Sequence, residues 1–293
     1  MSSKQKVYAI ASLLTGATTW GLVWYPLRLL ETAGIGGELS TLLTYGLCLV
    51  IGLMVFPRHV PELLKLSPIL MGIGLFAGGA NLAYVLGVIH GSVVRVLLLF
   101  YLAPLWTVLL SRLLLGERLN RTGYIIILFS VAGAVVMLWE PQLDRPWPKN
   151  GAEWLGLAAG MMFAMTNVLS RRARELHIPA KALSVWLGVV IVAFISFLFN
   201  KNGFQPLASL PAQGWILLIA VTAAMFVATL VMQYGLTYTP SNQAIVILLS
   251  ELVIASTAAY FLVHETHGLK DWIGGAMIIA ASLFSGRMED SNE

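Results

Sequence analysis

Two ionisable side chains interrupt long apolar stretches of this sequence and are its first candidates for chemistry. Glu251 lies about ten residues inside the stretch 241–263, and Arg95 lies four or five residues from one end of the stretch 91–115. A charge at the centre of a bilayer costs at least about 2.5–3.5 kcal/mol, so each residue needs a partner or a role. Glu251 must therefore face the protein interior, meet water or carry a proton.

The two side chains suit different ligands. The carboxyl group of Glu251 suits a substrate amine or a coupled proton; the alternative is a structural carboxyl that hydrogen-bonds a neighbouring helix. The guanidinium of Arg95 suits a carboxylate or phosphate, which it can bind with two parallel hydrogen bonds. Its alternatives are to extend toward the membrane interface or to pair with Glu251. One fixed cation and one fixed anion in the same cavity would suit a zwitterion such as an amino acid.

Polar and aromatic side chains at membrane depth form a second set of candidates for a substrate site. Trp20 and Trp24, four residues apart, lie on one helix face, and so do Asn81 and Tyr84, three residues apart. Aromatic walls with a few polar groups are typical of small-molecule pockets, but the same residue types also join helices and mark the membrane interface. The set comprises Trp20, Trp24, Tyr25, Asn81, Tyr84, Tyr101, Asn167 and Gln233.

Long apolar segments position all of these residues. The chain has 293 residues, of which 58% are hydrophobic and only 11% charged, against about 25% charged in soluble proteins. A bilayer is crossed by about 20 apolar residues in a helix. The composition predicts an all-α integral membrane protein of ten transmembrane helices, and the basic residues form no patch that would bind nucleic acid. The segments are 7–29, 38–56, 66–88, 91–115, 121–139, 153–174, 180–199, 212–234, 241–263 and 270–286.

A weak internal repeat divides the chain into two halves. A shift of 148 residues lays Gly87 on Gly235 and Arg95 on Gln243, and a shift of 143 lays Trp20-Gly21 on Phe163-Ala164. Polar residues near the middle of the chain predict a first half at 1–140, a linker at 141–152 and a second half at 153–293. Since each half holds five segments, the halves would cross the membrane in opposite directions, as inverted repeats do.

The basic residues predict the orientation. With the N-terminus in the cytoplasm, twelve Lys and Arg fall on the cytoplasmic side and five on the other, which follows the positive-inside rule. Both termini are therefore predicted to be cytoplasmic. The stretch from Val7 to Leu29 is too long for the core of a signal peptide and is interpreted as the first retained helix.

Short motifs in both halves resemble the drug/metabolite transporter superfamily, specifically its ten-helix members built from two EamA-type halves. Two departures from that pattern stand out. Glu251 precedes a position that is usually proline and is Leu252 here, and Arg95 has no general counterpart. The motifs are Trp20-Gly21, Gly87, Leu102-Ala-Pro-Leu105, Leu115-Gly-Glu-Arg-Leu119, Tyr234-Gly-Leu-Thr-Tyr238 and His264-Glu265.

The resemblance implies a secondary transporter of the inner membrane that exports small polar metabolites by alternating access. It does not name the substrate; Glu251 and Arg95 point foremost to amino acids or related zwitterions and amines. Glu251 is the candidate for proton coupling. The alternatives are a carrier of organic anions such as sugar phosphates, which would need more than one deep cation, and a membrane sensor or scaffold. Protons as a second substrate and a homodimer are both compatible with the sequence.

No enzyme, cofactor or metal is predicted. No nucleophile and base pair, phosphate-binding loop or dinucleotide motif occurs in the sequence. The run His264-Glu-Thr-His267 has its histidines three residues apart, whereas the zinc-protease motif needs four.

Overall fold

The computed structural model describes residues 3–33, 35–65, 67–91, 93–139, 148–199, 212–264 and 268–288. These ranges form α-helices joined by short turns and contain no β-strand. The all-α membrane fold predicted from composition is thereby confirmed. The helices are α1 (Ser3–Thr32), α2 (Gly37–Val55), α3 (Val60–Leu64), α4 (Pro68–His90), α5 (Val93–Phe100), α6 (Ala103–Leu114), α7 (Arg121–Leu138), α8 (Gly151–Arg172), α9 (Ile178–Phe199), α10 (Ala212–Tyr238), α11 (Ser241–Leu248), α12 (Ser250–Val263) and α13 (Leu269–Phe284).

The helices form because hydrocarbon offers no water to the backbone, so every amide must find its partner within the chain. Local signals set several of their starts. The Asn120 side chain accepts a hydrogen bond from Gly123 N at 2.7 Å, and that of Asn150 accepts one from Glu153 N at 3.0 Å. Both are N-caps, which satisfy amides that have no partner within the helix.

Not every predicted span is long enough to cross the membrane alone. In the described ranges eight helical segments are long and apolar enough, and a ninth counts if the pair Leu39–Val55 and Pro57–Leu64, bent by 93°, is one span. The predicted segment 270–286 corresponds to α13, which has only 16 residues. The total of ten spans therefore stays a prediction.

Hydrogen bonds between chain turns define two faces of the bundle. On the first, which we call the proximal face, Asn120 N donates to Met288 O at 3.1 Å and Arg172 Nη1 donates to Leu114 O at 3.1 Å. On the opposite, distal face, Lys270 Nζ donates to Trp139 O at 3.0 Å. The start of α1 packs beside the end of α10, so both ends of the described chain lie on the proximal face.

Glycines allow the tightest helix contacts. α4 packs against α8 and α9, and α7 packs against α13. A Cβ atom built on Gly188 of α9 would lie 2.0 Å from Gly74 O of α4, and one on Gly274 of α13 would lie 2.5 Å from Gly133 O of α7. Backbones in direct contact are typical of membrane helices joined by small residues.

Equivalent positions of the two halves make equivalent contacts. A Cβ atom on Gly87 would lie 3.1 Å from Ala152 O, and one on Gly235 would lie 3.0 Å from Ala9 O. The shift of 148 residues relates the two glycines, and the shift of 143 relates the two alanines. The Gly87–Ala152 and Gly235–Ala9 contacts are therefore equivalent under the shifts found in the sequence.

Candidate functional site

Two helices of the bundle are broken at corresponding places. One pair, α5 and α6, is interrupted at Tyr101 and Leu102, and the other, α11 and α12, is interrupted at Leu249. The 148-residue shift lays Tyr101 on Leu249 and Pro104 on Leu252. Pro104 lies in the first turn of α6, where proline is tolerated, and it cannot continue the preceding helix. The second break forms without a proline.

Glu251 follows the second break directly. Tyr101 and Tyr84 both lie close enough to its carboxyl group to interact with it electrostatically. On the third side, a Cβ atom on Gly21 of α1 would lie 2.9 Å from Glu251 O. With neighbours from α1, α4 and the break between α5 and α6, this region faces the bundle interior. The Glu251 side chain is nevertheless partly accessible.

The two tyrosines beside this carboxyl group belong to a cluster of aromatic rings. The Phe100 ring centre lies 5.5 Å from Tyr84, 5.3 Å from Tyr101 and 5.5 Å from Phe163. These four residues, which we call the aromatic cluster, join α4, the first helix break and α8. Edge-to-face and tilted contacts at such distances are favourable. The structure therefore brings three of the sequence candidates, Glu251, Tyr84 and Tyr101, into one site.

The sequence analysis assigned no site role to Phe100 and Phe163. Phe163 did carry a signal, because the 143-residue shift lays Trp20 on it. Trp20 is a candidate site residue, so the shift indicates Phe163 as its counterpart in the second half. Phe100 is apolar in an apolar helix, so no feature of the sequence separates it from its neighbours.

Arg95 pairs with Glu153 rather than with Glu251. Arg95 Nε donates to Glu153 Oε1 at 2.7 Å and Arg95 Nη2 donates to Oε2 at 2.9 Å. One alternative from the sequence was a pair between Arg95 and Glu251. The bidentate contact of Arg95 is with Glu153 instead. Glu153, which is 3% exposed, also accepts a hydrogen bond from Lys149 N at 2.8 Å. It was missed because it lies in the first turn of a helix, where a solvated carboxylate is common.

The contacts described for four other candidates are with groups other than Glu251. Trp20 packs against an apolar core built from α1, α2, α9 and α10. The rings of Trp24 and Tyr25 contact each other edge to face at 5.7 Å. Asn81 borders a small cleft with Thr41 and Ser196, so it faces α2 and α9 while Tyr84, three residues on, faces the aromatic cluster.

Asn167 and Gln233 are buried polar residues of α8 and α10, 1% and 3% exposed. Among the described residues, neither Asn167 Nδ2 nor Gln233 Oε1 has a hydrogen-bond partner. A buried polar atom without a partner costs about 1–3 kcal/mol. Both atoms are therefore well suited to bind water or a polar substrate between these helices.

Charged and polar groups meet under the proximal face. Arg171 Nη1 donates to Thr237 O at 2.7 Å, and Ser241 N donates to Glu117 Oε2 at 3.0 Å. Burial raises the pKa of Glu117 above its ordinary value, although Arg171 and Ser241 oppose this shift. Lys181 is fully buried and donates to Ser170 O, Ala173 O and the Thr237 hydroxyl.

The predicted absence of a metal at His264–His267 concerns residues that lie mostly outside the described ranges. Of this run, the structure describes only His264. It ends α12 in the left-handed conformation, with a φ of 55°.

The fold and this site define a class of protein: a helical, multi-pass membrane protein with broken helices around a buried acidic group. This combination is typical of secondary transporters. The profile of the EamA-like transporter family matches residues 7–139 and 150–287. The chain therefore belongs to the EamA-like transporter family, within the drug/metabolite transporter superfamily that its motifs resemble, and is a transporter rather than an enzyme.

Relatives in other organisms agree with this assignment. An uncharacterized transporter of Archaeoglobus fulgidus is 27% identical over 287 residues, which are 96% of this chain and 97% of that protein. A riboflavin transporter of Rhizobium johnstonii is 25% identical over 255 residues, 83% of this chain and 76% of that protein. The fold is shared with a protein of known crystal structure at a TM-score of 0.75, with 18% identity and coverage of 97% and 98% of the two chains.

Proposed function

We propose that this transporter exports small metabolites that carry an amino group, amino acids and related amines above all, by alternating access. The observation that carries the proposal is the Glu251 carboxyl group, which lies at a helix break beside Tyr101 and is partly accessible. A substrate ammonium group beside it would form a charge-assisted hydrogen bond. The aromatic cluster would hold the rest of the substrate and add cation–π attraction.

The charges near the site favour an amine over an organic anion. A sugar phosphate would need deep cations that are available to it. Among the described residues, the fully buried Lys181 is engaged by backbone carbonyls and Thr237, and the partly buried Arg95 is engaged by Glu153. If the substrate is an amino acid, its carboxylate would accept a hydrogen bond from Asn167 Nδ2, a neutral donor. Arg95 would then act through its pair with Glu153 rather than as the substrate ligand expected from sequence.

Glu251 would also couple transport to protons. The carboxyl group would release its proton when a cationic substrate binds. Transport would then exchange the substrate cation for a proton. Tyr101 would stabilise the ionised carboxylate of Glu251 by donating a hydrogen bond from its hydroxyl group. Each half-cycle would thus present Glu251 to one side of the membrane with either the substrate or a proton on it.

Ten spans in two inverted halves would supply the motion. The matching contacts of Gly87 and Gly235 and the matching helix breaks support this division. In inverted-repeat transporters one set of helices rocks against the other around a central site. The excess of Lys and Arg at the proximal face supports a cytoplasmic location for that face, with both termini inside and the chain in the inner membrane.

The test is thermal stabilisation of purified full-length protein by a panel of amino acids, amines, nucleosides and sugar phosphates. A ligand that binds only the folded state raises the melting temperature. Amines or amino acids should stabilise the parent, and Glu251→Gln should lose that shift while melting within a few degrees of the parent without ligand. In proteoliposomes the same variant should lose proton-linked transport.

Two outcomes would overturn the proposal. One is stabilisation by sugar phosphates alone. The other is a full ligand response in Glu251→Gln, which would make this carboxyl group structural. Glu175→Gln, a change of an exposed carboxyl group at the proximal face, is the matched control and should behave as the parent.

A planar heteroaromatic substrate is the second candidate. Four aromatic rings meet at the site, and one relative is named a riboflavin transporter. Flat rings stack well on such walls. Riboflavin therefore belongs in the panel, and stabilisation by riboflavin that persists in Glu251→Gln but is lost in Phe100→Ala would favour this candidate.

A further inference from the structure

Three metal-ligating side chains converge at the proximal face, away from the Glu251 site. His59 ends the short turn between α2 and α3, Glu62 lies within α3, and His177 immediately precedes α9. One ligand atom from each residue lies within 4.8 Å of the others. Because α3 packs against α9, residues 115 positions apart in sequence meet in one cluster, which we call the His–Glu cluster.

The distances within the cluster are close to those of a coordinated ion. His177 Nδ1 lies 2.7 Å from Glu62 Oε1, and His59 Nδ1 lies 4.0 Å from Glu62 Oε2. Ligand atoms of a tetrahedral zinc ion, bound at 2.0–2.2 Å, stand roughly 3.3 Å apart. Side-chain shifts of an ångström or less would therefore bring these atoms to bonding positions.

One atom of the cluster is poorly satisfied without an ion. Glu62 Oε2 is buried from solvent and accepts no hydrogen bond from the described residues. The His59 ring nitrogen Nδ1 lies 4.0 Å from this oxygen. A buried carboxylate oxygen with no partner is costly, and a cation between the three side chains would satisfy it.

The backbone holds both sides of the cluster in place. His59 N donates to Phe56 O at 3.0 Å, and His177 O accepts from Lys181 N at 3.3 Å as α9 begins. The imidazole ring centres lie 4.8 Å apart with 46° between their planes. The two rings are therefore tilted and not stacked face to face.

We propose that His59, Glu62 and His177 form a binding site for a divalent transition metal of the zinc class. Two imidazoles and one carboxylate suit zinc better than magnesium or calcium, which prefer all-oxygen ligands. The His177 side chain is 63% exposed, so an ion can enter from solvent and keep water as its fourth ligand. The sequence analysis, which predicted no metal, had no signal for this site.

A bound ion would link the turn between α2 and α4 to the turn between α8 and α9. These turns belong to different halves of the chain, so the ion would oppose any separation of the halves on this face. Zinc should therefore slow transport while it is bound. This consequence rests on the proposed function, whereas metal binding itself does not.

The experiment is calorimetric titration of ZnCl₂ into the full-length protein, purified with a histidine-free affinity tag and stripped of metal with EDTA. One zinc ion per chain should bind and raise the melting temperature. His59→Ala and His177→Ala should each weaken binding by at least about tenfold, since even outer-shell changes cost that much. His90→Gln, an exposed histidine on the distal face, is the control and should bind as the parent.

A second pair of variants separates metal loss from misfolding. His177→Cys should keep zinc binding, because a thiolate is also a zinc ligand, while His177→Asn should lose it. Absence of binding in the parent would overturn the proposal, as would equal affinity in the His59→Ala/His177→Ala double variant. Zinc binding with no effect on transport would overturn only the consequence for the proposed function.

Discussion

At the scale of single residues, the Arg95–Glu153 pair separates a structural role from a substrate-binding role. Arg95→Gln would leave the Glu153 carboxylate, 3% exposed, without its bidentate partner. Breaking a buried pair in this way costs about 3–5 kcal/mol. We expect a clear fall in the thermal or denaturant stability of Arg95→Gln, measured in detergent.

The double variant Arg95→Gln/Glu153→Gln is the matched control for this prediction. It removes both charges, so it should recover much of the lost stability and retain ligand-induced stabilisation. If Arg95→Gln instead folds with the stability of the parent and only loses ligand binding, Arg95 is a substrate ligand, as the sequence first indicated.

Single residues also show where sequence reasoning ends. The cost of burying a charge drew attention to Glu251, and the structure places it at a helix break beside Tyr101. Lys181, near the start of the predicted segment 180–199, was counted only among the basic residues of the cytoplasmic side. The structure buries Lys181 completely, and only the fold brings the Thr237 hydroxyl and the carbonyls at the end of α8 around it.

At the scale of elements, the break between α11 and α12 tests what interrupts a helix. The corresponding first-half break is followed by Pro104, whereas Leu252 holds the equivalent position. Leu252 N donates to Leu249 O at 3.1 Å, so proline there would lose one hydrogen bond at the start of a helix, where proline is tolerated. We expect Leu252→Pro to fold, with melting lowered by a few degrees because Leu252 is also packed in a core cluster.

Ala255→Pro, three residues further along α12, is the comparison. Proline inside a helix costs about 3 kcal/mol or more, so this variant should melt far lower or fail to express. Equal damage from the two prolines would show that the break at Leu249 is not a tolerant position.

The seam between α4 and α9 gives a second prediction at this scale. A Cβ atom on Gly188 would lie 2.0 Å from the backbone oxygen of Gly74, whereas one on Gly46 in α2 would meet no atom within 4 Å. Gly188→Ala should therefore be strongly destabilising, because backbone must move. Gly46→Ala should be neutral or stabilising by about 0.5–1 kcal/mol, since glycine disfavours helix.

Thermal melting of the two alanine variants in the same detergent checks this prediction. Similar melting temperatures would mean that α4 and α9 are less tightly packed than the structure shows.

At the scale of the whole molecule, composition and apolar periodicity predicted the helical membrane fold correctly, because lipid strongly restricts which backbones can cross it. The repeat was also visible, although only through a few matched residues such as Gly87 and Gly235. The count of spans could not be fixed from hydropathy, since α2 bends into α3 and α13 is short. The site could not be assembled either, because Asn81 and Tyr84 face different neighbours despite their spacing.

Orientation is the prediction that belongs to this scale. Cys48 is the only cysteine and is fully buried, so Cys48→Ala provides a background for labelling. A cysteine at Glu175, on the proximal face, should react with an impermeant maleimide only after the cells are opened. A cysteine at Lys270, on the distal face, should react in intact cells, and the reverse pattern would contradict cytoplasmic termini.

The helices of this bundle differ widely in length. At 1.5 Å per residue, α1 with 30 residues and α10 with 27 residues extend about 45 and 40 Å, while α7 with 18 and α13 with 16 extend about 27 and 24 Å. The short helices pack against each other, and a hydrocarbon core is about 30 Å thick. We expect the bilayer to thin where α7 and α13 cross it, and lipids with shorter acyl chains to collect along that edge.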